Sequence, residues 1–252
     1  MYFAIYDTDK YIYTTFGNRF NILEHINESS STHIIPIIVP SKAFLKKVKY
    51  ERDQEDYEDK YYMDYTKVAS KKIIFGDKYS IFDPNTIIKF KLKVPSKYIR
   101  IASMNGHVHV LEWWKNSGLP LEYSCDAITL ASYNGHINVL EWWKNSGLEL
   151  KYGPCTMDTA SEHGRIDILD WWKNSGLELK YSRFSMDCTD RVHICINVLD
   201  WWKNSGLPLK YTSDGLCRAK YYNNYKYIEW WKNSGLPLEC PIDSNGLIKI
   251  DF

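Results

Sequence analysis

The chain has 252 residues, with 32 Lys+Arg against 31 Asp+Glu and a formal net charge of +1 at pH 7. That length has room for a compact domain of about 100 residues beside a second body of similar size. The balanced charge leaves no basic excess to hold phosphates, so no nucleic-acid partner is expected.

No apolar run reaches the roughly 18–20 residues that cross a bilayer; the nearest, His33–Pro40, is broken by Pro36. No membrane partner is therefore expected. The opening stretch MYFAIYDTDK lacks the basic flank and apolar segment of a leader, so an intracellular protein is expected. Its cysteines stand at 125, 155, 188, 195, 217 and 240 with no CxxC pair, which predicts reduced thiols and neither a disulfide nor a zinc site.

Residues 1–85 read as a small β-rich N-terminal domain. Met1–Thr15 predicts two short aromatic strands around the Asp7-Thr8-Asp9-Lys10 turn. Phe20–Ile26 suits a helical turn, ended by the loop at Asn27–Thr32. Ile34–Val39 is β-branched and too short for a helix. It is expected as an edge strand, because Pro36 cannot donate to a ladder. Lys42–Tyr50 carries a basic face, Glu51–Lys60 reads as a solvated loop, and Val68–Phe75 predicts a further strand before the Gly76-Asp77 turn. Next, Asp83-Pro84 suits the start of a short helix near Asn85.

From there a repeat governs the chain. WWKNSGL occurs five times, with first tryptophans at 113, 142, 171, 201 and 230, and these pairs hold all ten tryptophans. A fixed period of this size marks a stack of small units, each unable to bury its apolar face alone. The repeat occupies 86–241, a degenerate lead-in and five units, and leaves 242–252 as a tail. In each unit Ile128 and Ala131, or their equivalents, define a first helix near 126–133, and Asn134-Gly135-His136 breaks it. A second helix, Ile137–Asn145, turns Ile137, Leu140 and the Trp pair inward, and Gly147 is expected as its left-handed cap. Asp167, Asp170, Glu141 and Glu112 are expected on solvated faces, and Lys115, Lys144, Lys173, Lys203 and Lys232 form a solubilising row.

The run ASYNGHINVLEWWKNSGLEL resembles the ankyrin repeat. Ala131 stands for that family's helix-one alanine, Gly135-His136 for its turn, Val139-Leu140 and Trp142-Trp143 for its paired aliphatics and leucines, and Gly147 for its cap. The likeness is nearest to the ankyrin-repeat proteins of giant amoebal DNA viruses, over about residues 85–241. This unit of 29 residues is shorter than the family's 33 or so, so the projecting hairpin finger is expected to be shortened or absent. Unit four, with Val192-His193-Ile194-Cys195, and unit five, with Tyr222-Asn223-Asn224, depart from the turn and are expected to be irregular. The fold class is thus mainly α: an ankyrin-like helical-repeat solenoid behind a small β-rich domain.

No phosphate loop, HExxH or GxSxG occurs, so no catalytic, cofactor or metal residue is assigned and no enzyme is expected. His107 and His136 recur at turns, where an imidazole can bond nearby backbone. The second helices are nearly identical, whereas the position two residues after the helix-one alanine reads Met104, Tyr133, Glu162, Arg191 and Tyr221. A stacking requirement would keep these alike; a recognition stripe would vary, as would exposed sites under neutral drift, and the stripe is taken as the candidate partner-binding face, with Tyr133, Tyr221 and Arg191 as anchors. The resemblance implies a monomeric, non-enzymatic protein-binding module in a host cell's cytoplasm, with a host protein as partner. The alternative is a structural, self-assembling virion-associated protein.

Overall fold

The computed structural model describes residues 2–7, 12–18, 23, 31–38, 44–50, 63–69, 74–187 and 196–237. These are mainly helical, with eleven helices and seven strands among them. The chain divides into two compact units, residues 1–102 with 109–122, and residues 103–108 with 123–252.

In the first unit, β1 (Tyr2–Asp7) pairs antiparallel with β2 (Ile12–Asn18), as two strands around an early turn require. β3 (Ser31–Ile38) joins the other side of β1. It is not an edge strand, because β6 (Ile74–Phe75) and β7 (Tyr79–Ser80) pair with its far side. The break between those two strands resolves the problem of Pro36. Its carbonyl accepts from Gly76 N at 2.8 Å, so its nitrogen faces the same neighbour, where Gly76–Lys78 forms no ladder. β4 (Phe44–Tyr50) and β5 (Met63–Ala69) form a separate two-stranded sheet. The acidic stretch 51–60 lies outside the described residues.

α1 (Pro84–Phe90) begins where Asp83 accepts from Asn85 N at 2.9 Å and ends at Lys91 in the left-handed conformation. Ile88–Val94, where lysines alternate with apolar residues, is therefore helical at its start, as the Asp83-Pro84 helix start requires. α2 (Ser96–Met104) buries Tyr98, Ile99, Ile101 and Ala102. Tyr98 stacks on Phe82 and donates its hydroxyl to the Ile81 carbonyl. The last helix with residues in this unit is α3 (Val108–Asn116), whose Leu111 and Trp114 are buried.

The second unit is built from helix pairs. They are α4 (Asp126–Asn134) with α5 (Ile137–Asn145), α6 (Cys155–Glu162) with α7 (Ile166–Asn174), α8 (Phe184–Asp187) with α9 (Ile196–Asn204), and α10 (Asp214–Tyr221) with α11 (Tyr225–Ser234). First helices pack in series, α4 on α6, α6 on α8 and α8 on α10; α7 meets α9, and α9 meets α11. The predicted bounds of α5 agree with those observed, and Gly147 takes φ +75° just beyond it. The serine of WWKNSGL has its own task. Ser146 Oγ donates to the Trp143 carbonyl at 2.8 Å and accepts from Leu148 N at 3.1 Å, and Ser175, Ser205 and Ser234 do the same in their units. The Trp143 carbonyl, one of the last four of its helix, and the Leu148 N–H beyond the helix are thereby bonded through one hydroxyl.

The two tryptophans of each pair are not equivalent. Trp143, Trp172, Trp202 and Trp231 are at most 1% exposed, whereas Trp142, Trp171, Trp201 and Trp230 are half-buried. The inner indole reaches the unit before it: Trp143 donates to Ser103 Oγ, Trp172 to Ser132 Oγ and Trp202 to Ser161 Oγ, at 3.3, 3.3 and 2.9 Å. The outer indole also reaches back, Trp171 to Glu141, Trp201 to Asp170 and Trp230 to Asp200. Glu141 and Asp170 are therefore inter-unit acceptors and not merely solvated charge. In each pair the rings meet edge to face, about 5 Å apart.

The connecting segments form a third ladder. Tyr123, Tyr152, Tyr181 and Tyr211 pack on the inner tryptophans and donate to the carbonyls of Glu149, Glu178, Pro208 and Pro237. Lys151, Lys180 and Lys210 lie 4.4–4.9 Å from the tyrosine ring centres of the preceding connector, within cation–π range.

Two buried carboxylates tie neighbouring units at the starts of first helices. Asp158 accepts from Ser182 N at 2.9 Å, and Asp187 from Thr212 N at 2.9 Å and Thr212 Oγ1 at 2.7 Å. Burial raises both pKa values, outweighing the hydrogen bonds that favour the anions. A raised carboxyl pKa stabilises the fold most below its unfolded value, and that contribution is lost as pH rises through the folded value. The stability of the wild type relative to Asp158→Asn is therefore expected to fall as pH rises above the unfolded carboxyl value of about 4. Urea melts in acid and at neutral pH check this; a difference that grows toward neutral pH would mean that the hydrogen bonds dominate.

Candidate protein-binding surface

The described residues of the variable stripe lie in the last turn of each first helix, just before the turn to the second. That turn is shaped by a left-handed residue: Gly106, Gly135 and Gly164 take φ +76°, +81° and +68°, and Asn223 takes +55°. The turn of unit five is thus regular, against the expectation from its sequence, because asparagine tolerates the glycine conformation. Residues Val192–Cys195 of unit four lie outside the described residues. Gly106 is constrained twice, since a Cβ there would meet His136 Nδ1 at 2.9 Å.

Turns of neighbouring units also touch. His136 donates to the Met104 carbonyl, and burial lowers its pKa, which favours the neutral ring. One unit on, Arg165 Nε donates to the Tyr133 carbonyl at 3.2 Å. These side chains bind the backbone of the stripe residues, so the stripe is held from behind.

Of the five predicted positions, Met104, Tyr133 and Glu162 are half-buried and Tyr221 is 79% exposed. Arg191 lies outside the described residues. Tyr133 does not stand free: its ring centre lies 4.1 Å from that of His163, which lies within 4.0 Å of Glu162. Tyr221 is joined by Tyr222 and Tyr225, 51% and 72% exposed. Sequence reasoning named Tyr222 as a varying turn residue but passed over Tyr225, although YYNNYKY is the one turn with four tyrosines. On the other helix, Lys144 and Lys173 are exposed, while Lys203 donates to the Ser234 carbonyl at 2.7 Å.

A cleft of about 690 Å³ lies among Tyr181, Arg183, Lys210, Tyr211, Thr212 and Pro237. Its polar groups are engaged within the fold. Arg183 pairs with Asp214 at 2.6 Å, Lys210 donates to the Tyr181 carbonyl and Tyr211 to that of Pro237. Among the described residues no group of three or more His, Cys, Asp or Glu side chains could hold a metal ion, and no helix is long and apolar enough to cross a membrane.

No protein-family model matches this chain, and no curated protein matches it.

Proposed function

We propose that the chain is a non-enzymatic protein-binding module. In this proposal the helix pairs form an ankyrin-like solenoid, residues 1–85 form a β-rich domain, and the turn stripe meets the partner. The setting taken from the resemblance is a host cell's cytoplasm, with a host protein bound. One observation carries the proposal most directly. The repeated positions of helix and connector are occupied with inter-unit contacts, Trp to Ser, Trp to carboxylate and Tyr to carbonyl, whereas the residues of the turn differ from copy to copy. A surface that varies beside second helices that recur nearly unchanged suits recognition.

A monomer is expected in sedimentation at micromolar concentration, whereas the self-assembling alternative predicts larger species.

The test of the binding face compares two double variants in affinity capture. Tyr133→Ala with Glu162→Ala is expected to weaken capture of the partner at least tenfold, with little change in stability. Lys144→Ala with Lys173→Ala is expected to leave capture intact. Loss with the lysine variant and retention with the stripe variant would place binding on the other helix and refute this face.

A further inference from the structure

Seven large apolar or aromatic side chains are exposed among the described residues, and Tyr221, Tyr222 and Tyr225, within five positions of one another, are three of them. Scattered exposure needs no explanation, but clustering on one turn does. The stretch Arg218–Tyr227, RAKYYNNYKY, holds three cations and four tyrosines with no acid. Its counterpart in unit two, LASYNGHINV, holds no Lys or Arg, and that of unit three, TASEHGRIDI, balances one Arg with a Glu and an Asp.

This turn is built rigidly. Asn224 N donates to the Ala219 carbonyl at 2.7 Å, and Asn224 Oδ1 accepts from Tyr227 N at 3.3 Å. Tyr227 points inward, fully buried, with its hydroxyl on the Met186 carbonyl at 2.7 Å. The other three point outward. Tyr225 is tethered across the turn by a hydrogen bond to Asn223 Oδ1, and the rings of Tyr221 and Tyr222 meet at 5.0 Å and 88°. Ordered aromatic side chains lose little entropy on binding, and for that reason tyrosine anchors interfaces so often.

We propose that this turn is a docking site for an acidic segment of a protein. Carboxylates of the segment lie toward Lys220 and Lys226, both exposed, and its apolar side chains lie against Tyr221, Tyr222 and Tyr225. The charge sets the sign of the partner: the stretch around the turn, from Asp214 to Glu229, holds three cations against two acids, and the three cations lie nearest the tyrosines in sequence, so an acidic segment is favoured over a basic one. The ring geometry selects protein over single-stranded nucleic acid. Stacked bases need faces that can be followed in succession, and the Tyr221 and Tyr222 rings, set near a right angle, do not offer them. The site deepens the protein-binding function proposed above and rests on it.

The test uses the full chain and fluorescein-labelled polymers: a random Glu/Tyr copolymer, poly-glutamate and an oligo-dT strand, read by anisotropy. The copolymer is expected to bind, more weakly as salt rises. Tyr221→Ala with Tyr225→Ala should weaken it at least tenfold, and so should Lys220→Glu with Lys226→Glu. Urea midpoints verify that each variant is folded, and two chemically different variants guard against loss of fold in either. Absence of copolymer binding, or equal binding by wild type and both variants, overturns the site. Binding of oligo-dT with the same tyrosine dependence, in place of the copolymer, also overturns it. Neither result touches the wider function, which is tested separately at Tyr133 and Glu162 by partner capture.

Discussion

Trp172→Ala is expected to cost about 3–5 kcal/mol, as large-to-small changes at fully buried aromatics do. The ring is 1% exposed, packs on Tyr152 and Trp171, and donates to Ser132 of the unit before it. Truncation removes the ring from the contact between two units and leaves Ser132 Oγ without its indole donor. Trp171→Ala is expected to cost under about 2 kcal/mol, since its ring is half-buried and its chief specific contact is one hydrogen bond to Glu141. Urea denaturation of the two variants decides. Equal losses would mean that the outer ring carries as much of the packing as the inner, against their difference in burial.

The period of the tryptophans makes the helix pairs legible in the sequence alone, because each unit repeats the same burial pattern. The bounds of α5, the cap at Gly147 and the start of α1 at Asp83 all follow from local rules. A period says what recurs, however, and not which neighbour a residue touches. Glu141 and Asp170 read as solvated because a carboxylate on the outer side of a single helix is so. Their bonds to Trp171 and Trp201 exist only once a second unit is laid against the first. The acid that always stands before WW was the available signal. Pro36 misled in a different way, since a missing N–H requires only a local gap in the neighbouring strand and not an edge. On the candidate surface, the register placed Tyr221 on an exposed turn, but nothing in it distinguished the exposed Tyr225 from the buried Tyr227 two residues later. That difference depends on the Met186 carbonyl of the preceding unit.

Gly215→Ala reverses the ordinary expectation for a helix. Within a helix, alanine in place of glycine adds about 0.5–1 kcal/mol of stability through backbone entropy. Gly215 lies in α10 and is buried. A Cβ there would come within 2.5 Å of the Tyr227 hydroxyl and 3.2 Å of Asp187 Cα. Neither neighbour yields easily. Tyr227 is fully buried and bonded to the Met186 carbonyl, and the Asp187 backbone belongs to α8, whose carboxylate holds Thr212. The substitution is therefore expected to destabilise by about 1–3 kcal/mol, the usual range for overpacking. Tyr227→Phe removes the hydroxyl that the new methyl would strike, so the two changes must be coupled. In the Tyr227→Phe background, Gly215→Ala is expected to lose at least half of its cost, the remainder reflecting the 3.2 Å approach to Asp187. Four urea melts complete the cycle. An additive result, or a stabilising Gly215→Ala on its own, would show that α10 can shift away from α8 and that the last pair of helices is not held where Tyr227 puts it.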